Sequence, residues 1–370
     1  MFCAVYALLS VSFIAVAADT PASIASSYAL STSTSLPFPS ATEASTDTQT
    51  LLSTEWGLSK GRIQNGGPDL EFVSDPFPNS PAPGTTPNTS APVTYPAGSF
   101  SGNTGGSQFY NLWNTSNLSG FGSMLLSYEV AFDAGFDWVK GGKLPGLRGG
   151  GPDGCSGGDA SDGSSCFSAR IMWRPNGAGE AYTYTPLPDS FCSDNDVICN
   201  SDGFGTSLDR GSFTFESGKW NHITLLVQMN NPVDVAKLSH YFRFFLGCSQ
   251  RLPAATLKYS ALRRLVCGPR SGVISFNDVQ ALQQPDMQIR TTTNLSINGM
   301  YFSTFFGGSD SSWATPNTTH TYFRNIQLWA GSNPSNLTGS VVSSAVAVPR
   351  WHPTSTALFV ALLVGLSSVL

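Results

Sequence analysis

The chain has 370 residues, of which 41% are hydrophobic and 12% charged, with a formal net charge of -5 at pH 7. That apolar content suffices for a substantial core. An acidic balance with no basic run in the N-terminal half excludes a phosphate-backbone binder, so no nucleic-acid partner is expected. Residues 1–18, MFCAVYALLSVSFIAVAA, lead from an apolar stretch to small residues at Ala15, Ala17 and Ala18, the pattern of a secretory signal peptide. Residues 19–50 are rich in serine and threonine and poor in large apolar groups. Burial of so little apolar surface would not offset the ordering entropy, and a linker is expected there.

A domain is expected over residues 51–330, where Trp56, Trp113, Trp138, Trp173, Trp220, Trp313 and Trp329 are spread along the chain. Runs of β-branched and aromatic residues recur between Gly, Pro, Asn and Asp clusters: LLSYEVAFDAGFDWV, CFSARIMWR, AYTYTP, GSFTFESGKWNHITLLVQM, GVISFNDVQAL, MYFSTFFGG and HTYFRNIQLWAG. This pattern predicts an all-β fold, a jelly-roll or concanavalin-like β-sandwich, and no sustained helical period competes with it. Residues 236–271 break the pattern with seven lysines and arginines together with Cys248 and Cys267. A passage from MNNPVDV directly into GVISFNDVQAL would be an ordinary strand-turn-strand, so this segment reads as an insertion or translated intron.

Residues 331–356 form a spacer that contains the small residues Ser343, Ser344 and Ala345, and residues 357–370 an apolar tail. A tail of about 15 residues is too short to span a membrane comfortably, and the order of small site, spacer and tail is that of a GPI-anchor signal. Six of the seven cysteines survive signal removal, and N-x-[ST] sequons stand at Asn88, Asn114, Asn117, Asn294, Asn317 and Asn336. Together they imply a secreted glycoprotein held at the cell surface, with Cys155–Cys166 and Cys192–Cys199 as the expected local disulfides.

Two stretches carry candidate chemistry. VKGGKLPGL, residues 139–147, sets Lys140 and Lys143 around a glycine pair and ends in a proline turn. In SARIMWRPNGAGEAYTYTP, a strand puts Ser168, Arg170 and Met172 on one face and Ala169, Ile171 and Trp173 on the other. If PNGAG makes a five-residue turn and Arg174 pairs with Glu180, Arg170 lies opposite Tyr184 and Met172 opposite Tyr182. The hydroxyls and the guanidinium then converge within about 10 Å. The competing reading is a surface hairpin whose tyrosines cover a neighbouring strand.

VKGGKLPGL, SARIMW and YTY at these spacings, with YFSTFFGGSD and YFRNIQLWAG downstream, resemble polysaccharide lyase family 14, the alginate and glucuronan lyases and their fungal relatives, over about residues 105–330. The resemblance implies a β-jelly roll that cuts uronic-acid polysaccharides by β-elimination. The family's essential lysine falls on Lys143, its serine and arginine on Ser168 and Arg170, and its two tyrosines on Tyr182 and Tyr184. Elimination removes the proton at C5 beside the carboxylate and expels the oxygen at C4, so the intermediate's extra negative charge needs cations. Arg170 suits a bidentate carboxylate clamp and Lys143 a second charge or the base. Tyr182 and Tyr184 are alternative bases or acids, and Lys140 is a further substrate-binding cation. The expected partner is an acidic polysaccharide, with a monomeric protein, membrane contact only through the anchor, and no metal or other cofactor.

The alternative function is a non-catalytic, lectin-like carbohydrate-binding protein of the cell surface. A glycoside hydrolase would need two carboxylates flanking the bond, and no motif pairs Glu129, Glu180 or Glu216. The acidic loops around the four central cysteines lack the spacing of a calcium loop, and the scattered histidines do not complete a zinc site.

Overall fold

The computed structural model describes residues 20–58, 63–80, 89–113, 120–187, 191–200, 202–231, 233, 274–282 and 287–335. The expected signal peptide, the segment 236–271, the GPI site and tail, and the sequons at Asn88, Asn114, Asn117 and Asn336 lie outside the described residues. Asn294 and Asn317 are exposed.

Two antiparallel sheets form the fold, an open β-sandwich. The front sheet runs in the order β4 (Ser107–Leu112), β14 (Ile297–Phe306), β6 (Gly142–Gly150), β7 (Cys166–Trp173), β8 (Ala178–Tyr184), β10 (Thr206–Thr214), β9 (Val197–Ile198). The back sheet runs β13 (Val279–Leu282), β12 (Ile274–Phe276), β11 (Trp220–Gln228), β5 (Ser123–Phe132), β15 (Thr319–Gly331), β3 (Thr89–Tyr95), β2 (Val73–Ser74), with β1 (Thr32–Ser35) also paired to β15. Alternate residues of each strand point inward and meet as aromatic pairs across the sandwich. Phe302 contacts Phe323 at 4.9 Å between ring centres, and Phe132 contacts Trp173 at 5.9 Å. Edge-to-face and offset contacts of this kind add to the area they bury.

Residues 20–50 are part of the fold rather than the expected linker. Thr20 caps a short helix, α1 (Pro21–Ser27), by accepting a hydrogen bond from the Ser23 amide, and α2 (Ser45–Glu55) follows β1. Ile24, Leu30 and Leu36 are buried in the main core, beside Leu52 and Trp56 of the expected domain. The apolar groups here are few but large, and the β1–β15 ladder supplies backbone partners that composition does not display.

Polar side chains tie the outer face of the back sheet together. Arg324 donates to Glu129 Oε2 at 2.7 Å and to Asp75 Oδ2 at 2.6 Å, while Asp75 Oδ1 accepts from Trp220 Nε1 at 3.0 Å. His222 lies 2.8 Å from both Ser127 Oγ and Asp278 Oδ1, so one ring joins β5, β11 and the β12–β13 turn. The two expected disulfides are both present.

Candidate active site

The open face of the front sheet forms a groove of ≈ 960 Å³. Strand register builds it in rows. Tyr301 on β14 lies opposite Gly146 on β6, which faces Arg170 on β7, Tyr182 on β8, Ser207 on β10 and Ile198 on β9 in succession. A second row runs from Phe305 through Lys143 and Met172 to Glu180, and a third from Arg148 through Ser168 to Tyr184. Directly opposed residues share a side of the sheet, so these side chains gather on one face.

Lys143 reaches that face through an irregularity in β6. Leu144 pairs with Ile171 and Gly146 with Arg170, which leaves Pro145 as an extra residue between two consecutive partners. The expected proline turn is instead a β-bulge inside a strand. Proline has no amide to lose from the ladder, and its carbonyl accepts from Tyr128 Oη at 3.1 Å. The bulge reverses the alternation, so Leu144 and Leu147 both point into the core while Lys143 and Arg148 share the groove side.

The β7–β8 hairpin is tighter than its sequence suggests. Arg174 N donates to Ala178 O at 2.7 Å, closing a three-residue turn in which Asn176 and Gly177 have positive φ. Arg170 therefore lies opposite Tyr182, and Tyr184 opposite Ser168, two residues from the expected register. Because the shift is even, the same side chains occupy the same face. Arg174 and Glu180 still meet, at 2.7 Å through Nε, one step outside the paired register.

Lys143 is only 9% exposed, with Nζ 2.8 Å from Met172 Sδ and 3.2 Å from the centre of the Tyr182 ring. Burial, then the charges of Arg170 and Arg174, hold its pKa well below the ordinary lysine value of 10.5, against a smaller opposing effect of Glu180. Arg170 is 1% exposed and has no ion-pair partner among the described residues. Its Nη1 donates to Ser303 Oγ at 3.2 Å, its Nε has no hydrogen-bond partner, and its guanidinium lies 4.7 Å from the Tyr301 ring. Tyr182 is pushed above the ordinary tyrosine range, chiefly by burial and then by Tyr184.

Glu180 lies fully buried beneath the groove, accepting from Arg174, from Ser207 Oγ at 2.6 Å and from Arg210 Nε at 2.6 Å. It fixes two arginines instead of facing a second acid. Ser168 turns under the loop 155–166 and donates to Cys155 O at 2.6 Å, and Tyr184 Oη accepts from Gly158 N at 3.1 Å. Lys143, Arg170, Tyr182 and Tyr184 line the groove. Lys140 stands apart on the surface, 2.6 Å from Ser312 Oγ and 5.8 Å from the Trp313 ring centre.

Sequence reasoning missed Tyr301, Ser303 and Gln108. Tyr301 Oη donates to Gln108 Oε1 at 3.1 Å, and Ser303 Oγ lies 3.3 Å from the same oxygen. Burial raises the Tyr301 pKa, but Arg170's charge and nearby hydrogen bonds outweigh it, leaving that hydroxyl below its ordinary value. The alternation Tyr301, Ser303 in MYFSTFF was the available signal.

The sequence profile described as Polysaccharide lyase 14 matches residues 85–242 and 270–326, more than half of the chain. The chain belongs to polysaccharide lyase family 14. Its break between 242 and 270 falls inside the segment that reads as inserted. The marine family 14 alginate lyase of Aplysia kurodai is 29% identical over 81% of this chain and 98% of its own, with a TM-score of 0.59. Alginate lyase Aly36B is 18% identical over 80% of this chain and 96% of its own, with a TM-score of 0.51. A double-mutant form of Aly36B in complex with alginate tetrasaccharide is 18% identical over 82% of this chain and 98% of its own, at a TM-score of 0.53. The two Aly36B likenesses bear on the fold alone. No curated protein matches the chain. This family 14 member is thus a polysaccharide lyase built on the family's β-sandwich.

Proposed function

We propose that the protein cleaves a uronic-acid polysaccharide, alginate-like or glucuronan, by β-elimination, and that it works outside the cell from a GPI anchor. One observation carries the catalytic reading. Arg170, buried with no acidic partner among the described residues, lies in the same groove as a lysine whose charge is disfavoured. A buried guanidinium without a carboxylate is costly, and a substrate carboxylate would relieve that cost. The alginate in the name of the Aplysia kurodai relative supports the same substrate class.

In this reading Arg170 takes the uronate carboxylate through its two-donor fork, with Ser303 and Tyr301 fixing the guanidinium plane. The neutral Lys143 amine removes the C5 proton. The electron pair left on C5 forms the C4–C5 double bond as the C4–O bond breaks. Tyr182, which holds its proton more tightly than an ordinary tyrosine, donates it to the departing oxygen. Tyr184 Oη is committed to the Gly158 amide and braces the loop beside the groove.

The decisive assay is ultraviolet absorbance during incubation with several uronate polymers. Elimination leaves an unsaturated sugar, whereas hydrolysis or mere binding does not. No absorbance gain on any uronate polymer would overturn the lyase reading of this site. Two disulfides and exposed sequons at Asn294 and Asn317 support the extracellular reading. Release from intact cells by a phosphatidylinositol-specific phospholipase tests the anchor, and full retention would refute it.

A further inference from the structure

Among the described residues three large hydrophobic side chains are exposed, Leu187, Ile198 and Phe204, and two of these, Ile198 at 48% and Phe204 at 37%, line the same end of the groove. Single exposed apolar residues are ordinary, but two on one wall of a polar groove are a pattern. Both are held outward by covalent and steric ties. Ile198 sits on the two-residue edge strand β9, next to Cys199, whose disulfide to Cys192 pins it. The Phe204 ring rests against Gly158 in the loop closed by Cys155–Cys166, where a Cβ at that position would come within 3.3 Å of the ring. The next residue, Gly205, lies flush against the reaction centre, since a Cβ there would come 2.6 Å from the Tyr182 ring and 2.8 Å from that of Tyr184.

Charge differs between this end and the middle of the groove. Cations concentrate around Lys143, Arg170 and Arg174, and Arg210 beside Ser207 is paired with Glu180, whereas the lining from Ile198 to Gly205 itself carries Asn200 and Asp202 and no cation. Ile198 also stands three strands from Arg170 in one cross-strand row, about 14 Å away at the usual strand spacing. One sugar whose carboxylate is held by Arg170 does not cover that wall. A pyranose ring presents a flat C–H face as well as polar edges, and apolar and aromatic walls with a few polar groups are how proteins take such faces.

Resting on the lyase reading above, we propose that Phe204 and Ile198 form a subsite for the C–H face of a sugar two or more residues along the chain from the one being cleaved. This subsite grips the polymer without using a carboxylate and sets a preference for longer chains.

The test uses the full chain carrying Lys143→Ala to stop turnover, with calorimetric binding of a uronate disaccharide and hexasaccharide. Adding Phe204→Ala and Ile198→Ala is expected to weaken hexasaccharide binding about fivefold or more, the loss that separates contributing contacts from near-neutral ones, and to leave the disaccharide unchanged. Phe204→Trp in place of Phe204→Ala should recover most of the loss. Unchanged hexasaccharide affinity, or equal losses at both lengths, would overturn the subsite. If the double variant unfolds, Phe204→Leu alone carries the same expectation, because it keeps an apolar filler and loses the flat ring. Failure here while the parent still produces unsaturated sugar refutes the subsite only. A parent that neither cleaves nor binds any uronate chain removes both readings.

Discussion

Lys143 Nζ lies 3.2 Å from the centre of the Tyr182 ring, so the candidate base and the candidate acid are in direct contact. A ring face favours a cation, yet burial together with Arg170 and Arg174 outweighs it and holds the lysine pKa well below 10.5. The pair is thus arranged with the amine ready to accept a proton and the phenol ready to give one.

That arrangement predicts a pH profile. The value of kcat/KM should rise with pH along a limb whose apparent pKa lies clearly below the ordinary lysine value. Arg174→Met removes one of the cations that depress it, so the limb should move to higher pH. An unmoved limb would take Lys143 out of the role of base.

The two tyrosines should separate in mutant kinetics. Tyr182→Phe is expected to lower kcat by about 10²–10⁴, the usual weight of a positioned proton donor. Tyr184→Phe removes a hydroxyl that is bound to Gly158 N and should cost less, mainly through KM. Equal losses in kcat would assign both hydroxyls to the chemistry.

Arg170→Lys keeps a charge but not the planar fork, and kcat/KM should fall about 100-fold, as expected when a bidentate contact becomes a point charge. Full activity in that variant would remove the carboxylate clamp from the mechanism.

On the back sheet, Arg324→Met should destabilise the fold by about 3–5 kcal/mol in denaturant titration, because it strands Glu129 and Asp75 without their cation. Activity measured well below the unfolding midpoint should persist. A loss under 1 kcal/mol would mean that the network is solvated.

His320 and Asp133 give a stability signature in pH. The bond to Asp133 raises the His320 pKa, and although burial works to raise that of Asp133, the bonds from His320 and Tyr322 leave it lowered. The histidine's contribution is complete below its ordinary value of about 6.5 and fades as pH rises through the raised folded value. The aspartate's contribution is complete above about 4 and fades as pH falls through its lowered folded value. His320→Gln should therefore lower Tm more at pH 5.5 than at pH 8.5. Equal losses at both would assign the ring a packing role.

The sandwich was legible where alternation is regular, as in Leu126 to Phe132 or His222 to Leu225, because a period of two is a property of neighbouring residues, whereas a bulge between Arg324 and Gln327 breaks it in β15. β3 carries Pro92 and β6 is dense in glycine and proline, so local propensity hid two strands that pairing creates. Lys143, Arg170, Tyr182 and Tyr184 were readable as a group because parity along a strand survives a two-residue error in register. Ser168 was readable as a position but not as a contact, since its partner, Cys155 O, belongs to a loop whose path the sequence does not give. Tyr301 is far from the hairpin in sequence and reaches Arg170 only through sheet order.

Pro145 is the residue of β6 that has no partner on β7, and its neighbours Leu144 and Gly146 alternate across it as adjacent residues would. Its loss would therefore straighten the strand and leave Lys143 opposite Met172 and Arg148 opposite Ser168. The odd spacing of lysine and arginine in KLPGLR is what demands the bulge, since residues five apart on a regular strand face opposite ways. A relative with one residue fewer between the two would present the same pair of cations to the groove from an unbroken ladder.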